Sequence, residues 1–201
     1  IMDFVEQAQP AVIVGVGDLG WLADVKAISP NTITLGRFEE RGQYFTGDPV
    51  QRAQEFVVSH AGRYLANPGV DYWLGWNEPG ISSEWQMQWY ASFEAERARL
   101  MHELGLEVAV GNFSTGTPEP ELFAAFAPAL LAAKEYGGLL ALHEYSAPTM
   151  QSAVGAGVPV PPPAGGEATS APSAGAALVP PPTPPQPASM SVPAITTVPN
   201  S

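Results

Sequence analysis

Residues Asp71–Gly80, DYWLGWNEPG, decide the fold prediction for the whole chain. The stretch begins as an apolar run with three aromatic residues and then stops at Asn-Glu-Pro-Gly. An apolar, aromatic run that ends in turn residues predicts a β-strand, here Tyr72–Trp76. Pro79 disfavours the helical conformation for Glu78, which helps to keep the backbone extended where the strand ends. The stretch is therefore either an ordinary strand-to-helix turn or the edge of a reactive site, since parallel α/β folds carry their chemistry at strand ends.

Strand and helix patterns alternate on both sides of this stretch. Strands are predicted at residues 11–16, 32–37, 72–76, 107–112 and 139–145. Helical patterns occupy residues 2–9, 21–28, 49–66, 83–104 and 119–136. Strands that are separated by helices form right-handed βαβ units and a parallel sheet. Residues 1–150 are therefore predicted to form an α/β domain, either a doubly wound sheet or a (β/α)8 barrel.

The end of the chain has a different composition. All eight Lys and Arg and nineteen of the 20 acidic residues precede Met150, and Glu167 is the one charged residue after it. Residues 151–201 are rich in Pro, Ala, Ser and Gly. Such a segment buries too little side chain to offset the entropy of ordering it. We predict a disordered, Pro-rich tail over 151–201.

Charge and composition exclude several classes of partner. The net charge of −12 comes without a basic stripe, which argues against nucleic acid. No apolar run is long enough to cross a bilayer, so no membrane partner is expected. The absence of Cys excludes disulfides and thiolate metal sites. The opening sequence, IMDFVEQAQP, has neither the charged nor the apolar region of a signal peptide.

A glycine motif offers one interpretation of the function. GVGDLG at Gly15–Gly20 matches the dinucleotide-binding pattern, follows a strand, and has Glu39 and Glu40 about twenty residues further on. The bulky Trp21 and the short helix that follows count against this interpretation. The alternative is a loop in which glycines permit a turn.

Polar and aromatic residues at the other strand ends offer a second interpretation. These candidates for contacts with a carbohydrate are Arg37, Asn112, His143 and Tyr145, with Trp76 as a flat apolar face. Each also has an ordinary structural interpretation. Arg37 suits a surface cation, and a histidine on an apolar strand such as His143 is commonly a core residue with its hydrogen bonds satisfied.

The order of three motifs resembles a known family. Three short motifs resemble clan A of the retaining glycoside hydrolases. They are WNEP at one strand end, NFS after the next strand and HEY on the strand after that. These enzymes are (β/α)8 barrels whose fourth strand ends in Asn-Glu. The resemblance implies that Glu78 is the general acid/base and that Asn77 binds the substrate 2-hydroxyl. It also implies that the visible strands are strands two to six, that the substrate is a carbohydrate, and that no cofactor is needed.

The resemblance has two difficulties. Strand alternation points Asn77 and Glu78 to opposite faces, so both reach one cleft only if the strand ends or bulges before them. Retaining hydrolysis also needs a second carboxyl group about 5 Å away as nucleophile. The family places that nucleophile on strand seven, and no strand pattern follows Tyr145, while alternation sends Glu144 away from the interior.

We therefore expect an incomplete barrel of strands two to six that is inactive as it stands. The tail fits either a linker of the kind found in modular secreted enzymes, which would make the protein extracellular, or an out-of-frame reading of the missing strands. A non-catalytic carbohydrate-binding fragment is the third interpretation.

Overall fold

The computed structural model describes residues 1–40 and 42–143. Tyr145 and the segment 151–201 lie outside the described residues. The elements are α1 Met2–Ala8, β1 Val12–Val16, α2 Leu22–Ile28, β2 Ile33–Arg37, α3 Pro49–Leu65, β3 Tyr72–Leu74, α4 Glu84–Glu103, β4 Glu107–Phe113, α5 Pro120–Phe123, a 3-10 turn Ala124–Phe126, α6 Ala127–Glu135 and β5 Leu139–Leu142.

The two long helices begin where side-chain caps place them. The Asp48 carboxylate accepts the Gln51 backbone N–H at 2.8 Å, with a proline at the first helical position of α3. The Ser83 hydroxyl accepts the Gln86 N–H at 3.3 Å at the start of α4. The single helix expected at 119–136 is instead divided into α5, the 3-10 turn and α6. Pro128 explains the division, because it has no N–H to continue the α-helical ladder from the preceding turn.

All five strands are parallel, and they form a curled half-barrel sheet in the order β1-β2-β3-β4-β5. The strands therefore follow one another in the sheet as they do along the chain. A doubly wound sheet reverses its strand order at a switch point, where its ligand binds. The described residues contain no such reversal.

The sheet has two unlike faces. One face carries Trp73, Val108 and Val110, which belong to a large core shared with the helices. The alternate residues face the other way, where a small cluster centred on Leu35, Leu74 and Ala109 contains strand residues only. We call this second side the open face.

A buried ion pair ties α4 to the sheet. The Arg97 guanidinium lies 2.9 and 2.7 Å from the two carboxylate oxygens of Glu94, and it donates to the backbone carbonyls of Trp73 and Ala109 at 3.2 and 3.1 Å. Burial opposes the charge on Arg97, but the adjacent Glu94 outweighs it and raises the pKa of the guanidinium. A Cβ atom at Gly75 would lie 2.7 Å from Glu94 Oε1, which explains the glycine inside DYWLGW.

We predict that Arg97→Met lowers the free energy of unfolding by about 3–5 kcal/mol, because Glu94 then becomes a buried charge without a partner. Urea unfolding followed by circular dichroism measures the change. Arg99→Met is the matched control on the same helix, where the pairs with Glu96 and Glu103 are partly exposed. The control should lose less than about 1 kcal/mol. Equal losses in the two variants would contradict the role given to Arg97.

Candidate active site

The site begins where the chain leaves β3. The strand ends at Leu74, two residues earlier than the sequence indicates. Glu78 has a φ of 48°, in the left-handed region that a non-glycine residue occupies at a cost of about 1–2 kcal/mol. Its backbone N–H donates to the Asn112 carbonyl at 3.0 Å. Because the strand has already ended, strand alternation no longer sets the directions of Asn77 and Glu78.

A β-bulge in β4 positions Asn112. The pairing of β4 with β5 shifts register between Gly111 and Phe113, which leaves Asn112 without a cross-strand partner. Gly111 and Asn112 both have positive φ, 93° and 51°. The Asn112 carboxamide nitrogen donates to the Trp76 carbonyl at 2.8 Å. Asn112 thus holds the segment from Trp76 to Glu78 with both its backbone and its side chain.

A tyrosine on α4 supports the bulge from the helix side. The Tyr90 hydroxyl donates to the Gly111 carbonyl at 3.0 Å, which satisfies a backbone group at the irregular position. Burial raises the pKa of Tyr90 well above its usual range, so the hydroxyl keeps the proton that it donates.

His143 completes the site from the end of β5. Its backbone N–H donates to the Phe113 carbonyl at 2.8 Å, and its own carbonyl accepts from the Thr115 hydroxyl. The ring bridges two side chains, with Nδ1 2.7 Å from Glu78 Oε1 and Nε2 2.8 Å from Asn112 Oδ1. The ends of β3, β4 and β5 are therefore joined by one hydrogen-bonded cluster of Glu78, Asn112 and His143.

The hydrogen-bond geometry places the protons in this cluster. The Trp76 carbonyl can only accept, so it fixes the Asn112 nitrogen toward itself and the Asn112 oxygen toward His143. Nε2 of His143 must therefore carry a proton. A hydrogen bond between Nδ1 and Glu78 needs one further proton, held either by the imidazolium or by the carboxylic acid. Glu78 and His143 thus share one exchangeable proton, and their side chains are 33% and 29% exposed, within reach of a ligand.

Two of the residues proposed to contact a carbohydrate are buried instead. Trp76 is 4% exposed, and its ring stacks on Trp89 and Tyr90 in the helix-side core. The reason is that β3 ends at Leu74, after which alternation no longer directs the ring. Asn112 is 1% exposed, and its carboxamide binds Trp76 and His143. The Asn112 side chain is therefore buried within the cluster, with both ends of its carboxamide hydrogen-bonded.

The other proposed contacts are placed as follows. Asn77 is half-buried and directly precedes Glu78. Arg37 ends β2, the strand beside β3, and is half-buried. His143 contacts Glu78 and Asn112, and Tyr145 lies outside the described residues.

The GVGDLG loop has structural explanations for its residues. Leu19 is buried beneath the loop, and a Cβ atom at Gly15 would lie 2.9 Å from Leu19 Cδ2. Glu40, one of the two acids expected near a ribose, lies 2.6 Å from His60 Nε2 on α3. The helix that follows the loop has seven residues. Packing thus accounts for the first glycine and an ion pair accounts for this acid, which favours the structural interpretation of the loop.

Comparison with models of protein families, with curated proteins and with solved structures finds no match to this chain. Within the part of the chain that the structure describes, no helix is both long enough and apolar enough to cross a bilayer.

We predict that the neutral imidazole of His143 carries its proton on Nε2, because the Asn112 carboxamide oxygen lies 2.8 Å from that atom. Nitrogen-15 NMR of the imidazole rings distinguishes the two atoms. Replacing Asn112 by Leu should abolish the preference for Nε2, because the acceptor is removed. An unprotonated Nε2 in neutral His143 would contradict the hydrogen-bond assignment.

Proposed function

We propose that this chain carries the general acid/base half of a retaining glycoside hydrolase of clan A, with Glu78 as the acid/base. The observation that carries the proposal is the 2.7 Å contact between Glu78 Oε1 and His143 Nδ1 at the carboxyl edge of a parallel sheet. A glycosidic oxygen is a poor leaving group until it is protonated, so a carboxyl group that is hydrogen-bonded to a histidine within reach of a ligand suits this reaction.

The strand order supports a barrel-derived fold. The five parallel strands lie side by side in chain order, and the sheet is curled into a half-barrel. A (β/α)8 barrel consists of parallel strands in the same consecutive order. The order agrees with the proposal that the five strands are strands two to six of such a barrel.

The roles of the residues follow from the cluster. Glu78 donates its proton to the leaving oxygen and then takes a proton from the attacking water. His143 and Asn112 hold the carboxyl group in one orientation, and the left-handed backbone at Glu78 is maintained by the same contacts. By the family resemblance, Asn77 binds the 2-hydroxyl. The family's nucleophile belongs to a seventh strand, for which this sequence has no pattern.

The alternatives draw less support. Consecutive strand order and the packing around Gly15 count against a dinucleotide site. The burial of Trp76 counts against a stacking platform of the kind that a non-catalytic carbohydrate-binding fragment would use. Neither alternative needs a proton shared between Glu78 and His143.

Azide offers a direct test, because it can replace a carboxylate nucleophile. We predict that aryl glycosides incubated with the chain and sodium azide give a glycosyl azide of inverted anomeric configuration. Glu78→Gln should slow this reaction about 100-fold or more for poor leaving groups and little for dinitrophenolate, which needs no acid. Glu103→Gln on the exposed side of α4 is the control and should react as the unmodified chain does. NMR gives the anomeric configuration of the glycosyl azide, and absorbance of the released phenolate gives the rate.

Two outcomes would contradict the proposal. One is a reaction with poor leaving groups that Glu78→Gln leaves unchanged. The other is tight binding of oligosaccharides without any glycosyl azide, which would favour a non-catalytic binding fragment.

A further inference from the structure

A tyrosine on α4 contacts two of the chain segments that meet in the hydrogen-bonded cluster. Tyr90 is fully buried, and its hydroxyl donates to the Gly111 carbonyl at 3.0 Å. Its ring stacks on the ring of Trp76, with the centroids 5.6 Å apart and an angle of 25° between the planes. Gly111 directly precedes Asn112, and Trp76 lies two residues before Glu78. One side chain thus supports the backbone of both segments.

Packing alone does not explain a tyrosine at this position. Phenylalanine rings surround the ring of Tyr90 at centroid distances of 5.8 to 6.5 Å; they are Phe45, Phe93, Phe113 and Phe126. A buried hydroxyl costs free energy unless it has a hydrogen-bond partner, and here the Gly111 carbonyl is that partner. The nearby Glu94 carboxylate is the competing acceptor, but both of its oxygens already accept from Arg97.

The accepting carbonyl belongs to the peptide unit that joins Gly111 to Asn112. A peptide unit is planar, so turning the Gly111 carbonyl also changes the φ angle of Asn112. That angle is 51°, in the left-handed region that is unfavourable for a residue with a Cβ atom. Turning the peptide unit over would bring Asn112 to an ordinary negative φ, but it would also point the carbonyl away from Tyr90. The hydrogen bond from Tyr90 therefore opposes this change.

The backbone angle of Asn112 decides whether its groups reach the cluster. The Asn112 carboxamide lies 2.8 Å from the Trp76 carbonyl and 2.8 Å from Nε2 of His143. The backbone carbonyl of Asn112 accepts the Glu78 N–H at 3.0 Å. All three contacts require the Cβ atom and the carbonyl of Asn112 to point as they do at positive φ.

We propose that Tyr90 is a positioning residue of the candidate active site. Its hydroxyl holds the peptide unit between Gly111 and Asn112 in the orientation that the contacts with Glu78 and His143 need. Tyr90 thus acts on the candidate acid/base through Asn112. The consequence for catalysis rests on the proposed role of Glu78, whereas the effect on the cluster does not.

Amide hydrogen exchange tests the proposal, because it measures local opening at single backbone groups. Tyr90→Phe removes the hydroxyl and keeps the ring, so the fold should be retained. The Glu78 amide should exchange at least tenfold faster in this variant, relative to the amides of β2 in the same chain. Tyr64→Phe is the matched control, at a second buried tyrosine whose ring packs on Phe38 and Trp73. The control should leave the relative exchange rate of the Glu78 amide unchanged.

Nitrogen-15 NMR of His143 gives a second readout, which a loss of general stability would not move. Tyr90→Phe should weaken the preference of the neutral imidazole for a proton on Nε2, in the same direction as Asn112→Leu. Two results would overturn the proposal: an unchanged Glu78 amide and imidazole in Tyr90→Phe, or equal changes in Tyr64→Phe. Neither readout needs a substrate, so the role of Tyr90 is decided even if the chain forms no glycosyl azide.

Discussion

One buried carboxamide holds the candidate site together. Asn112 binds the Trp76 carbonyl through its side-chain nitrogen, His143 through its side-chain oxygen, and the Glu78 N–H through its own backbone carbonyl. These three hydrogen bonds connect the ends of three neighbouring strands. They also offset the cost of two left-handed, non-glycine residues, which persist only where surrounding contacts determine them. Asn112 thus contributes to the direction of the Glu78 carboxyl group through the backbone of Glu78 and the ring of His143.

Helix α4 supplies the rigid support beneath this cluster. Arg97 binds the carbonyls of Trp73 and Ala109, and Tyr90 binds the carbonyl of Gly111, so one helix contacts the backbone of both β3 and β4. The two contacts with Glu94 offset the free-energy cost of removing the Arg97 charge from water. A site built on strand ends that are held in this way keeps its geometry before any ligand arrives, which is what proton transfer to a substrate requires.

The sequence predicted the features that depend on local interactions. Helix starts at Asp48 and Ser83 follow from caps, and the alternating patterns correctly indicate five strands in parallel order. The end of β3 and the burial of Trp76 were not predictable in this way, because they depend on contacts with distant residues. The bulge had a detectable signal, since Gly111 interrupts a strand pattern and such glycines often mark bulges. The contacts of the His143 ring had no comparable signal in the sequence, because its partners Asn112 and Glu78 lie 31 and 65 residues away along the chain.

The central claim is that Glu78 stands where the leaving oxygen of a glycoside receives a proton. Glycoimidazoles of gluco and xylo configuration test it most directly, because their ring nitrogen occupies the position of that oxygen and accepts a proton from the acid. Titration calorimetry is expected to show binding to the unmodified chain and at least tenfold weaker binding to Glu78→Gln. Equal binding by the two chains, or no binding by either, would contradict the assignment of Glu78.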